Sequence, residues 1–119
     1  MTVARAYTYL GKTSEGYHIY EGRYTAALAD LYSRTDRITL LFPGLQRVLG
    51  IIGISGGLAD DGNNLGNPVV VLSIAGTPVR TVTLMMLETG AGAGVGLAEK
   101  TDGEAYGDAV DIRVTVFGV

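Results

Sequence analysis

The sequence predicts an all-β chain: one single-domain β-sandwich of about eight short strands, jelly-roll-like, with at most one short helix. Three observations carry this. Val110, Ile112, Val114 and Val116 alternate with Asp111, Arg113, Thr115 and Phe117, the period-two pattern of a strand buried on one face. Apolar runs of strand length recur at roughly 10-residue intervals with Gly, Pro, Asn and Asp between them, as in all-β folds. The 119 residues include 18 Gly and only two Phe, beside abundant Val, Ile, Leu and Thr, which suits short strands and tight turns better than a helical bundle. Two sheets packed face to face let each alternating strand bury one side, and an up-and-down barrel is the alternative closure. At this length one domain spanning residues 1–119 has core enough to fold without a staple, and no repeat or linker argues for a second.

In chain order, residues 1–24 form a tyrosine-rich hairpin or arm, with Lys12-Thr13-Ser14-Glu15-Gly16 as its polar break. Tyr7 and Tyr9 share one face of its first strand, while on its second Tyr17 and Ile19 oppose His18 and Tyr20. Aromatics on both faces imply that both faces are covered. From Thr25 to Ser33, Leu28, Leu31 and Tyr32 recur at helical spacing behind a Thr25 cap, so this is the one short helix or else a crossing loop. Asp36 to Gly57 reads as strand, turn, strand, because Pro43 fixes its own φ, pushes Phe42 toward extended geometry, and precedes a permissive Gly44. Residues 58–68 gather Asp, Asn and Gly into a long loop. Val69 to Ile74 is apolar on both faces, which predicts a strand in the middle of the sandwich. After a turn at Ala75-Gly76-Thr77-Pro78, Val82, Leu84 and Met86 alternate with Thr81, Thr83 and Met85. Residues 90–96, GAGAGVG, are a flexible loop or a thin strand.

Composition excludes several chemistries. There is no cysteine, hence no disulfide framework, thiolate metal site or cysteine nucleophile. The net charge is −3, with six Lys/Arg against four Asp/Glu in residues 1–50 and three against eight in 51–119, so no basic cluster offers itself to nucleic acid. Ile38 to Ile54 is interrupted by Pro43, Gln46 and Arg47 and does not read as a membrane span. The first residues lack a signal-peptide apolar core, which predicts a protein made in the cytoplasm.

Motif-like stretches fail on context. Gly53-Ile54-Ser55-Gly56-Gly57 matches G-x-S-x-G, yet the sole histidine, His18, lies upstream of Ser55, the wrong order for a hydrolase triad. The glycines of 90–96 are out of register for G-x-G-x-x-G and lack G-K-[ST]. Asp60 to Asn64 is oxygen-rich like a calcium loop but lacks the glutamate at the twelfth position, so an Asx-rich turn is the default. Asp108 and Asp111 have odd spacing and fall on opposite strand faces. Lone His18 makes no zinc site. No catalytic residue, cofactor or metal is therefore assigned. The remaining feature is Arg5, Tyr7, Tyr9, Tyr17, Tyr20, Arg23 and Tyr24, residue types that anchor protein interfaces by offering rigid area with a polar tip. The competing reading places them as cross-strand pairs on the domain's own core, with sugar stacking a lesser one in a chain without Trp.

The order ITLLFPGLQRV, a Gly/Asn-rich loop, NPVVVLSIAGTPVRTVTLMM and a closing DIRVTVFGV resembles small capsid decoration (cement) and other virion structural proteins of tailed bacteriophages. The likeness spans about residues 36–119 and lies in texture and strand order. It implies a non-enzymatic protein on the virion's capsid surface, partnered by the major capsid protein and strengthening the assembled shell. A symmetric homo-oligomer is implied, with a trimer among the options. The alternative is a tail- or fibre-associated sandwich that binds a host glycan or another virion protein.

Overall fold

The computed structural model describes residues 3–58, 69–89, 97–107 and 109–119. Eight strands run through them in chain order: β1 (Ala4–Lys12), β2 (His18–Ala26), β3 (Ile38–Leu41), β4 (Val48–Leu58), β5 (Val69–Ala75), β6 (Thr81–Thr89), β7 (Leu97–Glu99) and β8 (Val110–Gly118). Every pairing between them is antiparallel, and two sheets result, one ordered β1-β2-β8-β4 and the other β3-β6-β5 with β7 paired to β6. The expected all-β sandwich is therefore the fold. Its last strand lies between β2 and β4, contacts that only a chain returning from the far sheet can make.

Register explains the core. On β8, Ile112, Val114 and Val116 lie opposite Tyr24, Gly22 and Tyr20 of β2 and Gly56, Ile54 and Ile51 of β4. On β6, Val82, Leu84 and Met86 lie beside Leu40 and Ile38 of β3 and Ile74, Val71 and Val69 of β5. The two alternating stripes seen in the sequence meet here, and both are fully buried. Phe42 fills the space between the sheets above Gly22, where an added Cβ would stand 2.8 Å from the ring's Cζ. The strand is glycine at that point because the ring needs the room.

Two expectations change, and for Thr25 to Ser33 the crossing loop is the reading that holds. Thr25 to Ser33 holds no helix: β2 continues to Ala26, opposite Val110, and a turn follows in which Asp30 accepts from the Ala27 amide at 2.9 Å. Leu28 and Leu31 face outward and only Tyr32 of the apolar triplet is buried, and backbone bonds from 28–32 to 103–107 hold the segment in place. The Phe42-Pro43-Gly44 turn does not fold its two strands onto each other. It carries the chain from the second sheet to the first, and the ring of Tyr20 lies where a side chain at Gly44 would be. Val69 to Ile74 is not central but forms the edge strand β5, with Leu72 47% exposed. Apolar residues on both faces of β5 thus record an outer face that the fold itself leaves open. The expectations for Asp60–Asn64, for 90–96 and for Asp108 lie outside the described residues.

Candidate functional site

The seven candidate residues of the N-terminal hairpin divide by what they touch. Cross-strand partners share a face, so Arg5↔Tyr24, Tyr7↔Gly22 and Tyr9↔Tyr20 place Arg5, Tyr7, Tyr9, Tyr20 and Tyr24 together on the inner face. Arg5, Tyr7 and Tyr24 make their contacts within the molecule. Arg5 donates from Nε to the Thr39 carbonyl at 2.7 Å and lies 5.2 Å over the ring of Tyr24, itself 5% exposed. Tyr7 packs edge-on against Phe42 at 5.3 Å, and its hydroxyl accepts from the Leu41 amide at 3.0 Å. Those bonds satisfy Thr39 and Leu41 on the flank of β3 that faces away from β6. Tyr20 supports Tyr9, with ring centroids 5.0 Å apart. Arg23 points to the outer face and forms a two-pronged pair with Asp111, 2.9 Å on each prong. The guanidinium holds the Asp111 carboxyl below its ordinary range. Both side chains are nearly half exposed, so solvent screens the pair and it adds little to stability.

Tyr9 and Tyr17 remain at the surface. His18↔Gly118↔Val48 sets the hairpin tip, the end of β8 and the start of β4 at one end of the sheet. Tyr9 and Leu10 are half exposed there, and the Tyr9 hydroxyl is 3.0 Å from His18 Nδ1. Tyr17 stacks at 5.9 Å on Phe117, whose ring lies against Gly50. In β4, register shifts between Val48 and Gly50 and between Ile51 and Gly53 leave Leu49 and Ile52 without cross-strand partners. Both project as exposed side chains, the re-aiming that bulges perform. Val119 is exposed at the same end. Leu49, Ile52, Phe117 and Val119 were missed from the sequence because each sits in an ordinary apolar run, and only register sets Phe117 against Tyr17 and leaves Leu49 and Ile52 exposed.

The opposite end is ionic. Glu99 of β7 accepts both prongs of Arg37, at 2.7 and 2.8 Å, and the Tyr32 hydroxyl at 2.6 Å. The Arg37 fork holds the Glu99 carboxyl down at about 2 despite the opposing effect of burial. Burial, then the bond to Glu99, pushes the Tyr32 phenol up to about 12. Lys100, almost fully buried, reaches Glu88 at 3.5 Å and Glu104 at 3.3 Å. These groups neutralise one another and tie β7 to the loop before β3, which is an architectural task. An open polar cleft of about 440 Å³ beside them is lined by Arg5, Asp36, Arg37, Thr39 and Thr83. Its arginines are already engaged, Arg37 by Glu99 and Arg5 by Thr39.

No protein-family model, curated protein or solved structure matches the chain. Chemistry must then be judged from geometry. Ser55 faces outward opposite Arg113, whereas His18 pairs with Gly118 on the inner face, five residues or about 16 Å along the strand. Those two residues cannot share a proton. Among the described residues, no group of three or more His, Cys, Asp or Glu is placed to hold a metal ion, and no helix is long and apolar enough to cross a membrane. The arrangement offers an aromatic and aliphatic surface on a rigid two-sheet frame, suited to contact with another macromolecule.

Proposed function

We propose that this chain is a non-enzymatic virion structural protein that binds the assembled shell of a major capsid protein and stabilises it. The observation that carries the reading is the exposed apolar side chains of the first sheet: Tyr9 and Leu10 on its β1 edge, Tyr17 against Phe117, and Leu49 and Ile52 on its β4 edge. Aromatic and aliphatic side chains in such numbers are costly to leave in water and typical of interface cores. The likeness of residues 36–119 to capsid decoration proteins supplies the kind of partner. Shell symmetry repeats each contact many times, so a modest individual affinity is enough to strengthen the particle.

The test adds purified protein to shells assembled without it, and counts bound copies and shell survival on heating. The genes beside its own, if they include a major capsid protein, name the shell to use. Saturable binding with raised heat resistance is expected, and a Tyr9→Ala/Tyr17→Ala/Ile52→Ser variant that still folds should lose most of both. A parent that binds no shell overturns the reading, and a variant that binds like the parent overturns the assigned surface.

A further inference from the structure

Each sheet edge exposes backbone groups that can recruit a foreign strand, and folded proteins blunt such edges with bulges, short strands or covering side chains. This molecule does so least along β1. β4 carries two register shifts and β5 carries one, between Val71 and Ser73. β7 is only three residues long. The free flank of β3 is sealed by the Arg5 guanidinium and the Tyr7 hydroxyl. β1, by contrast, is nine residues long, contains no proline and pairs with β2 alone. Its one register shift, between Tyr9 and Gly11, lies near its end, so register is regular over the six residues from Ala4 to Tyr9, a longer unbroken run than β5 keeps, and nearly every residue in it is exposed.

We propose that β1 pairs antiparallel with β1 of a second copy of this chain, closing a two-fold dimer in which the two four-stranded sheets become one continuous sheet. Three features select a second copy over other strands. The edge is uncharged from Ala6 to Gly11, and the cation at its start, Arg5, is turned aside to Thr39 and Tyr24. A two-fold centred on Ala6 places Arg5 opposite Tyr7 of the second copy, so it does not set cation against cation. An isologous contact also consumes the open edge of both molecules at once, leaving only blunted edges outside and no route to a growing fibre. Small Ala4 and Ala6 beside Thr8 on the outer face keep the joint flat.

The experiment is sedimentation of the full chain over a range of concentrations. The mass should rise from 12.4 kDa to twice that value and stop. Ala6→Lys, which brings cations together at the axis, should weaken the association at least tenfold while far-UV dichroism and cooperative melting are retained. Because the chain has no cysteine, Ala6→Cys gives an independent reading. Under mild oxidation it should form a covalent dimer faster than Thr115→Cys, whose side chain lies in mid-sheet on β8. If Ala6→Lys fails to fold, the Ala6→Cys result decides alone. A monomer up to millimolar concentration, growth beyond the dimer, a folded Ala6→Lys variant that associates like the parent, or cross-linking no faster at Ala6→Cys than at Thr115→Cys each overturns the proposal. None of these readings depends on a capsid shell, so the dimer can fail while the shell assignment stands, and the reverse.

Discussion

Replacing Gly22 by alanine tests the packing of Phe42 between the two sheets. An ideal Cβ there would lie 2.8 Å from Cζ and 3.0 Å from Cε1 of Phe42, and 3.2 Å from Cδ1 of Leu40. Phe42 has nowhere to retreat, being fully buried with the Tyr7 ring edge-on against it. Overpacking of this kind costs about 1–3 kcal/mol. Gly22 has no positive φ, so alanine is otherwise compatible with its backbone and returns about 0.4–1 kcal/mol through the unfolded chain. The net expectation is a loss of about 1–2 kcal/mol, a fall in Tm of roughly 4 °C per kcal/mol for a domain of this size. Gly53 provides the control, because nothing lies within 4 Å of its Cβ position and its φ is not positive either, so Gly53→Ala should be neutral or slightly stabilising. Phe42→Leu removes the obstructing ring atoms. The double variant Gly22→Ala/Phe42→Leu should therefore lose less than the sum of its parts, by more than about 0.5 kcal/mol. Urea titration followed by far-UV dichroism measures these four variants against the parent. A Gly22→Ala variant as stable as Gly53→Ala, or strict additivity in the cycle, would refute the packing described for Phe42.

The remaining predictions concern the centre of the sandwich and its ionic end. Ile112→Ala, at a fully buried position on the central strand β8, should cost about 2–4 kcal/mol as a cavity, read as a lower urea midpoint with an unchanged slope. Glu99 has its folded value depressed from 4.5 to about 2, so its contribution is present above pH 4.5 and is lost as pH falls toward 2. Glu99→Gln should flatten that acid limb of stability against pH, and an unchanged limb would count against the Arg37 pairing. Tyr32 has its value raised from 10.0 to about 12, so its contribution is present below pH 10 and fades as pH rises through 12. Tyr32→Phe should remove that alkaline loss.

What the sequence determined by itself is what depends on residues close along the chain. The alternation of Val110 to Val116 and of Val82 to Met86 specified strands and named their buried faces, because side chains in a strand alternate whatever the strand pairs with. The polar break from Lys12 to Gly16 likewise marked the hairpin of β1 and β2, a contact between chain neighbours. Tertiary structure decided everything that depends on partners distant in sequence. Pro43-Gly44 specifies a change of direction, but whether the chain returns along its own sheet or crosses to the other is settled by the pairing of β3 with β6 and of β4 with β8. Leu28, Leu31 and Tyr32 have helical spacing, yet the bonds from 28–32 to 103–107 outweigh the weak preference of so short a segment. Val69 to Ile74 has the composition of a central strand, and its edge position follows from where β3 and β6 meet. The apolar end was hidden for the same reason: Tyr17 and Phe117 lie 100 residues apart, and only the register of β2 on β8 brings their rings within 5.9 Å.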